Sequence, residues 1–524
     1  MRAAVAAGHA VTALAGARVL EAGGNAVDAV VAAGAMSWAA EPSLTGPCGG
    51  GFLMVRRGLG GGIRVVDAFT AIPGRDLPAG RRLAEVERVL VPFDEHTTQE
   101  FHIGAAACAV PGVLAGLHAI HRRFGSMPWR DLLLPAAEAA DRGVASSGGQ
   151  YAVIVAIRDI LRHTPEASGV FWPGGVLVGE GVPIRQPDLA ATIELLAERP
   201  DDLYGGGLAR AMVAHQHETG GPLTLADLAA YRPVWRRPLL VPYGRHVIAT
   251  NPPPSSGGVL IGHMLSVLQG VPGARPPGRA RTLRAYAETM RAAARMRTGT
   301  FTRLLHRGGL ARHMLAPDAV EASRAAVVRA LDGAPTPALA VPSDSGTTHI
   351  SVVDRAGNAC AFTASNGSHS GVIVPGTGLH LNNMMGEEDL AAGRHLPPGS
   401  RLTSMQAPSM TTSRGGRLEL VIGSSGSNRL RSAIMQVALN VLDHGMPARE
   451  AVHHPRVHVE GDRLDCEGGI DEAELALLER WGEHLNRFES LNLYFGGTNI
   501  VSVRGERTEA AGDPRRDGDG IVLD

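Results

Sequence analysis

The chain lacks any excess of one charge: Lys and Arg total 50 against 51 Asp and Glu in 524 residues, and no basic block stands out. Nothing in it marks a nucleic-acid surface. Cysteine is scarce, and the four present, Cys48, Cys108, Cys360 and Cys466, form no Cys-x-x-Cys pair, so they read as reduced core residues. Long apolar runs are missing too. The most apolar stretch, residues 29–40, is too short to span a bilayer and is bracketed by Asp28 and Glu41. The close pairs His118/His121, His215/His217 and His453/His454 come without an HExxH or carboxylate-rich ligand pattern, so no metal and no cofactor is expected. These absences leave a small molecule as the default partner, with neither nucleic acid nor membrane.

What is present is an ordinary globular composition, 44% hydrophobic and 19% charged with a mean hydropathy of +0.02. The length suits several average domains or one large two-layer enzyme domain. The opening Met1-Arg2-Ala3-Ala4-Val5 faintly resembles a signal peptide, but His9 and Arg18 interrupt it and no small-residue cleavage site follows, so a cytoplasmic protein is expected.

From residue 10 to about 330 the pattern is mainly helical, with apolar periodicity over 10–20, 25–38, 113–124, 189–196, 259–268 and 282–305. Asn25 with Asp28 three residues on predicts a helix start. Residues 332–346, rich in proline and small side chains, read as a linker. Beyond it strands take over. Residues 347–354, a turn at 355–358 and residues 359–364 spell a hairpin, and further strands are expected at 371–374, 379–381, 417–422, 457–459 and 499–503, with a helix over 429–444. The class is α+β.

The segment Ser345-Gly346-Thr347-Thr348-His349 sits where the linker enters a strand. A cut before Thr347 would expose a threonine whose own α-amine, with a reference pKa of about 7.7–8.0, is a base for its hydroxyl. Gly346 has the backbone freedom to favour attack on a strained peptide bond. On spacing alone, a β-branched pair opening an ordinary strand fits as well. Likewise, the string GSSGSN at 423–428 reads either as a turn or as a weak anion-binding helix start.

TTHISVVDRAGNACAFTASN (347–366), PGTGLHLNNMM (375–385), RLTSMQAPSM (401–410) and IGSSGSNRLRSAIMQVALNVLDHGM (422–446), in that order, resemble the small-subunit signature of γ-glutamyltranspeptidases and related acylases. AGARVLEAGGNAVDAVVAAG, TGPCGGGFLMV and AAGDPRRDG extend the resemblance over nearly the whole chain. It implies a four-layer αββα sandwich and a precursor split between Gly346 and Thr347 into a large subunit, 1–346, mainly helical but contributing strands, and a small one, 347–524, which stay associated.

By the same resemblance Thr347 falls on the nucleophile and Ser365 on a threonine that hydrogen-bonds it. Asn366 falls on an asparagine near the substrate's α-carboxylate or amine, although the loop 367–371 is about two residues shorter than in typical members. Thr403 and Ser404 stand on a carboxylate-binding Ser-Ser pair, and Gly426 and Ser427 on the oxyanion-hole residues. Two departures stand out: Phe69 replaces the arginine that clamps a γ-glutamyl carboxylate, and Met384 and Glu387 lie in a loop where transpeptidases carry glutamine and an Asp-Asp pair. Losing the clamp removes about 1.5–3 kcal/mol or more of glutamyl affinity, unless another arginine compensates.

The expectation is a self-processing amidohydrolase or acyltransferase with a non-standard small-molecule amide or acyl substrate. Three alternatives stay open: a true γ-glutamyl hydrolase or transpeptidase acting on glutathione-like donors; a C–C hydrolase removing an oxalyl-type group in the secondary metabolism of alkylproline antibiotics; and an inactive, uncleaved binding protein.

Overall fold

The computed structural model describes residues 1–58, 60–78, 80–92, 98–333, 335–336, 346–387 and 396–524. Most of the linker expected at 332–346, including Ser345, lies outside them.

Two fully antiparallel sheets face each other. In order of hydrogen-bonded neighbours, the first runs Asp519–Leu523, Ala3–Ala7, Gly346–Val353, Ala359–Gly367, Gly50–Arg56, Ile63–Ala68 and Val234–Arg236. The second runs Arg507–Ala511, Gly497–Arg504, Leu418–Ser425, Ser409–Ser413, His246–Thr250 and Leu239–Tyr243. The period-2 alternation of strands separates three apolar layers. Cys360, Phe362 and Ala364 pack outward on the helices Ala10–Glu21, Ala26–Ala40, Val113–Phe124 and Trp129–Arg142. Ala359 and Ala361 turn inward to meet Val421, Val501 and Val503 of the second sheet. Ile422 and Ile500 face the far side, covered by Gly257–Leu268, Ala280–Arg295 and Arg429–Leu442. The result is the expected αββα sandwich.

The helix Ala26–Ala40 is buried at every position, as an all-round apolar helix must be. Its start is the predicted one: Asn25 accepts from the Val27 and Asp28 N–H groups at 2.8 and 3.2 Å, and Asp28 returns a bond to the Asn25 N–H at 2.9 Å. The expected helix over 282–305 divides into Ala280–Arg295 and Gly299–Arg307, because Thr298 is extended at φ −94° and ψ 178°.

The mainly helical first part also holds strands that periodicity missed. Gly50–Arg56 is buried on both faces, so it shows no alternation. Ala3–Ala7, the segment with the faint signal-peptide look, is a fully buried inner strand between Asp519–Leu523 and Gly346–Val353. All four cysteines are buried and free. No helix among the described residues is long and apolar enough to cross a membrane.

Candidate active site

Thr347 stands at the head of an inner strand and is 2% exposed. The hairpin register slips here. Gly346 pairs with Gly367 and Thr348 with Ala364, so Ser365 and Asn366 together oppose Thr347. Such a bulge re-aims side chains beside it, and the Ser365 hydroxyl accordingly donates to the Gly346 carbonyl while accepting from the Gly367 N–H at 2.8 Å. A hydroxyl is thereby fixed on the carbonyl of the candidate scissile bond.

His349, two residues on, has no part in this. The Ser351 hydroxyl donates to Asn499 O at 3.1 Å, so it accepts from His349 Nε2 at 2.9 Å, and His349 Nδ1 accepts from Thr363 Oγ1 at 2.8 Å. Burial lowers its pKa to about 3. It is a neutral core residue rather than a base.

Leu418–Ser425 carries the Gly-Ser run to this end of the sandwich. The side chain of Arg516 and Ser425 Oγ both crowd Gly497, Arg516 exerts its charge on Glu41, and Glu41 meets Thr348. Gly426 and Ser427 then adopt left-handed backbone at φ +106° and +52°. Their carbonyls accept from the N–H groups of Arg429 and Leu430 at 2.9 and 3.2 Å. Their own N–H groups donate to no acceptor among the described residues, which leaves two donors able to meet an anionic oxygen.

Phe69 and Met384 come together in the layer between the sheets. Phe69 stacks on Phe52 with ring centroids 5.5 Å apart, in one apolar cluster with Met384, Ile72, Leu402 and Met410. A backbone bridge between Ala71 and Arg401 sets this wall beside Thr403 and Ser404. The Thr403 hydroxyl is buried with no partner among the described residues, and Ser404 Oγ accepts from the Gln406 N–H at 3.0 Å, so its proton stays available. Arg401 is engaged elsewhere: its guanidinium lies over the Tyr231 ring at 4.2 Å and reaches Asp67 at 3.5 Å.

Glu387 is brought near Gly346: a Cβ on Gly367, the ladder partner of Gly346, would lie 2.5 Å from Glu387 Oε1. Asn366 is turned elsewhere. Its Nδ2 donates to His380 O at 3.0 Å and His369 Nδ1 at 3.1 Å, and its Oδ1 packs over Gly49. In the loop 367–371, His369 stacks on His380 with ring centroids 4.0 Å apart, and both are kept neutral by burial.

Sequence reasoning missed Ser255 and Ser256. Their hydroxyls donate to Ser404 O at 3.1 and 3.2 Å and so brace the Thr403–Ser404 turn. The signal was the string Pro252-Pro253-Pro254-Ser255-Ser256-Gly257-Gly258 ahead of a helix.

An αββα sandwich with a threonine heading an inner strand and free amides at the same end defines the N-terminal-nucleophile hydrolase class. The gamma-glutamyltranspeptidase family model matches residues 12–523. The acylase ACY 1 proenzyme of Pseudomonas sp. strain SE83 is 33% identical over 508 residues, covering 95% of this chain and 89% of the relative. The glutathione hydrolase proenzyme of Pseudomonas aeruginosa is 30% identical over 539 residues, covering 97% and 92%. The crystal structure of cephalosporin acylase from Bacillus halodurans shares the fold, with a TM-score of 0.84 over 99% of this chain and 95% of that one at 23% identity. The chain belongs to the gamma-glutamyltranspeptidase family and is an amidohydrolase or acyltransferase of it.

Proposed function

We propose that Thr347 is the nucleophile of a self-processing acylase whose acyl group is not γ-glutamyl. In processing, Thr347 Oγ attacks the Gly346 carbonyl carbon, the C–N bond breaks, and the hydroxyl proton goes to the departing nitrogen. That break frees the α-amine of Thr347, and water then hydrolyses the resulting ester, releasing the Gly346 carboxylate and restoring the Thr347 hydroxyl. The Ser365 hydroxyl supplies a hydrogen bond to the carbonyl oxygen as it gains charge. The observation that carries this reading is that donation to Gly346 O, made across a bulge centred on Thr347.

The two products are residues 1–346 and 347–524. They stay together because Ala3–Ala7 of the large piece is hydrogen-bonded on both edges to strands of the small one. In turnover the α-amine takes the Thr347 hydroxyl proton as Oγ attacks the substrate amide, and the Gly426 and Ser427 N–H groups face the oxyanion. The amine product leaves with that proton, and water or an acceptor amine then releases the acyl group.

The Phe69–Met384 wall beside the Thr403 and Ser404 hydroxyls suits an acyl chain with an apolar body and a polar end. Among the described residues it offers no cation for an α-carboxylate. Incubation of processed enzyme with glutaryl, γ-glutamyl and oxalyl donors tests this: a glutaryl-type anilide should turn over faster than its γ-glutamyl counterpart. Preferred γ-glutamyl turnover, or release of oxalate, would overturn it.

A further inference from the structure

Thr347 and Thr348 point to opposite sides of one strand, so the residue behind the proposed nucleophile faces the helical layer. There it meets Glu41. A Cβ on Gly8 would lie 2.5 Å from Thr348 Oγ1 and 2.9 Å from Glu41 Oε2, which sets both oxygens over the same glycine. Neither has an aligned hydrogen bond among the described residues, although they are close enough to interact. The other carboxyl oxygen accepts from Thr12 Oγ1 at 2.8 Å.

The backbone of Glu41 reaches the other side of the bond to be cut. Its carbonyl accepts from the N–H groups of Leu44 and Thr45 at 2.9 and 3.1 Å. That turn walls Gly346, where a Cβ would lie 2.9 Å from Leu44 Cδ2 and 3.4 Å from Ser43 O. Chain continuity holds Thr347 from both ends before cleavage and from one end afterwards. Once the bond is cut, the α-amine and hydroxyl of Thr347 are only as well placed as Thr348.

We propose that Glu41 is a positioning residue for Thr347, gripping the Thr348 hydroxyl from behind while its backbone turn holds the Gly346 side of the scissile bond. The inference rests on Thr347 being the nucleophile. The groups facing the carboxyl are Thr348 from the strand, Thr12 from the helix Ala10–Glu21 and Arg516 from the C-terminal turn. Burial raises its pKa to about 7, against the pull of those three groups. Arg516 is itself buried, its pKa lowered to about 10 chiefly by desolvation, and its Nε and Nη1 have no hydrogen-bond partner among the described residues. An ionised Glu41 accepts from both hydroxyls in charge-assisted bonds, so the grip tightens as pH rises through about 7.

Self-cleavage is the readout, since it needs no external substrate. Precursor from cell-free synthesis is followed by intact mass at pH values from about 5.5 to 8.5. The wild type is compared with Glu41→Gln, Thr348→Val, Thr348→Ser and the Glu41→Gln/Thr348→Val double variant, with Thr347→Ala as control. Wild-type cleavage should quicken through about pH 7. Glu41→Gln should slow it about tenfold above that and flatten the rise, Thr348→Val should do the same, and the double variant should be no slower than either. Thr348→Ser should restore the wild-type rate. Should Glu41→Gln fail to fold, the contrast of valine and serine at position 348 decides. Wild-type rate and profile in Glu41→Gln, multiplying effects in the double variant, or equal rates for valine and serine overturn the proposal. A wild type that never splits, or a Thr347→Ala that does, overturns the nucleophile assignment instead.

Discussion

The reaction side of the proposed site is built from backbone and a short hydroxyl: Ser365 on the Gly346 carbonyl, and the turned-out N–H groups of Gly426 and Ser427. The recognition side we propose is built from large side chains, with Phe69, Met384, Leu402 and Met410 sharing one apolar cluster. Backbone donors tolerate residue exchange, because only the N–H direction matters. A side-chain wall changes its ligand with each substitution. One chemistry can therefore persist while the acyl group it serves is replaced.

Several variants can break or sharpen that contrast. The largest effect is expected on the reaction side, where Ser365→Ala removes the donor to Gly346 O. Self-cleavage should slow by about 10²–10³, or about 2.7–4 kcal/mol of barrier, with Ser365→Thr largely spared. The time course of fragment appearance on a denaturing gel measures it, and an unchanged rate would remove Ser365 from the chemistry. On the recognition side, Phe69→Arg should raise kcat/KM for γ-glutamyl relative to glutaryl anilides by about tenfold to a hundredfold, the worth of about 1.5–3 kcal/mol. An unmoved ratio would locate specificity elsewhere.

Two smaller effects belong to the scaffold that both sides share. His349 and His369 are held neutral in the fold, with pKa values lowered by burial to about 3. The unfolded chain protonates first as pH falls below about 6.5, so stability should decline from there towards pH 3 by up to roughly 1.4 kcal/mol per pH unit for each histidine. Denaturant melts across that range check the slope, which His349→Asn should reduce. Asn25→Ala, which removes a helix cap, should cost about 1 kcal/mol by the same melts and leave the donor ratio unchanged.

The parts legible in the sequence are those with local causes. The Asn25 cap and the hairpin turning at Gly357 each carry their own signal within a few residues. Parts whose partners are distant in the chain were hidden. Ala3–Ala7 has no strand-like composition and owes its place to strands from the far end of the chain. Glu41 reads as a charge closing an apolar helix until Thr348 folds onto it. The two-residue bulge at Ser365 and Asn366 exists only in the pairing of two strands. Phe69 and Met384 stand far apart in the sequence, and only packing unites them in a single apolar cluster.

The most direct test is the mass and N-terminal residue of every chain in purified wild-type protein, beside Thr347→Ala. Two chains should be found, one ending at Gly346 and the other beginning with a free threonine at position 347, against one intact chain in the variant. Acyl turnover by an unbroken wild-type polypeptide, or a new N-terminus at any other residue, would contradict the account.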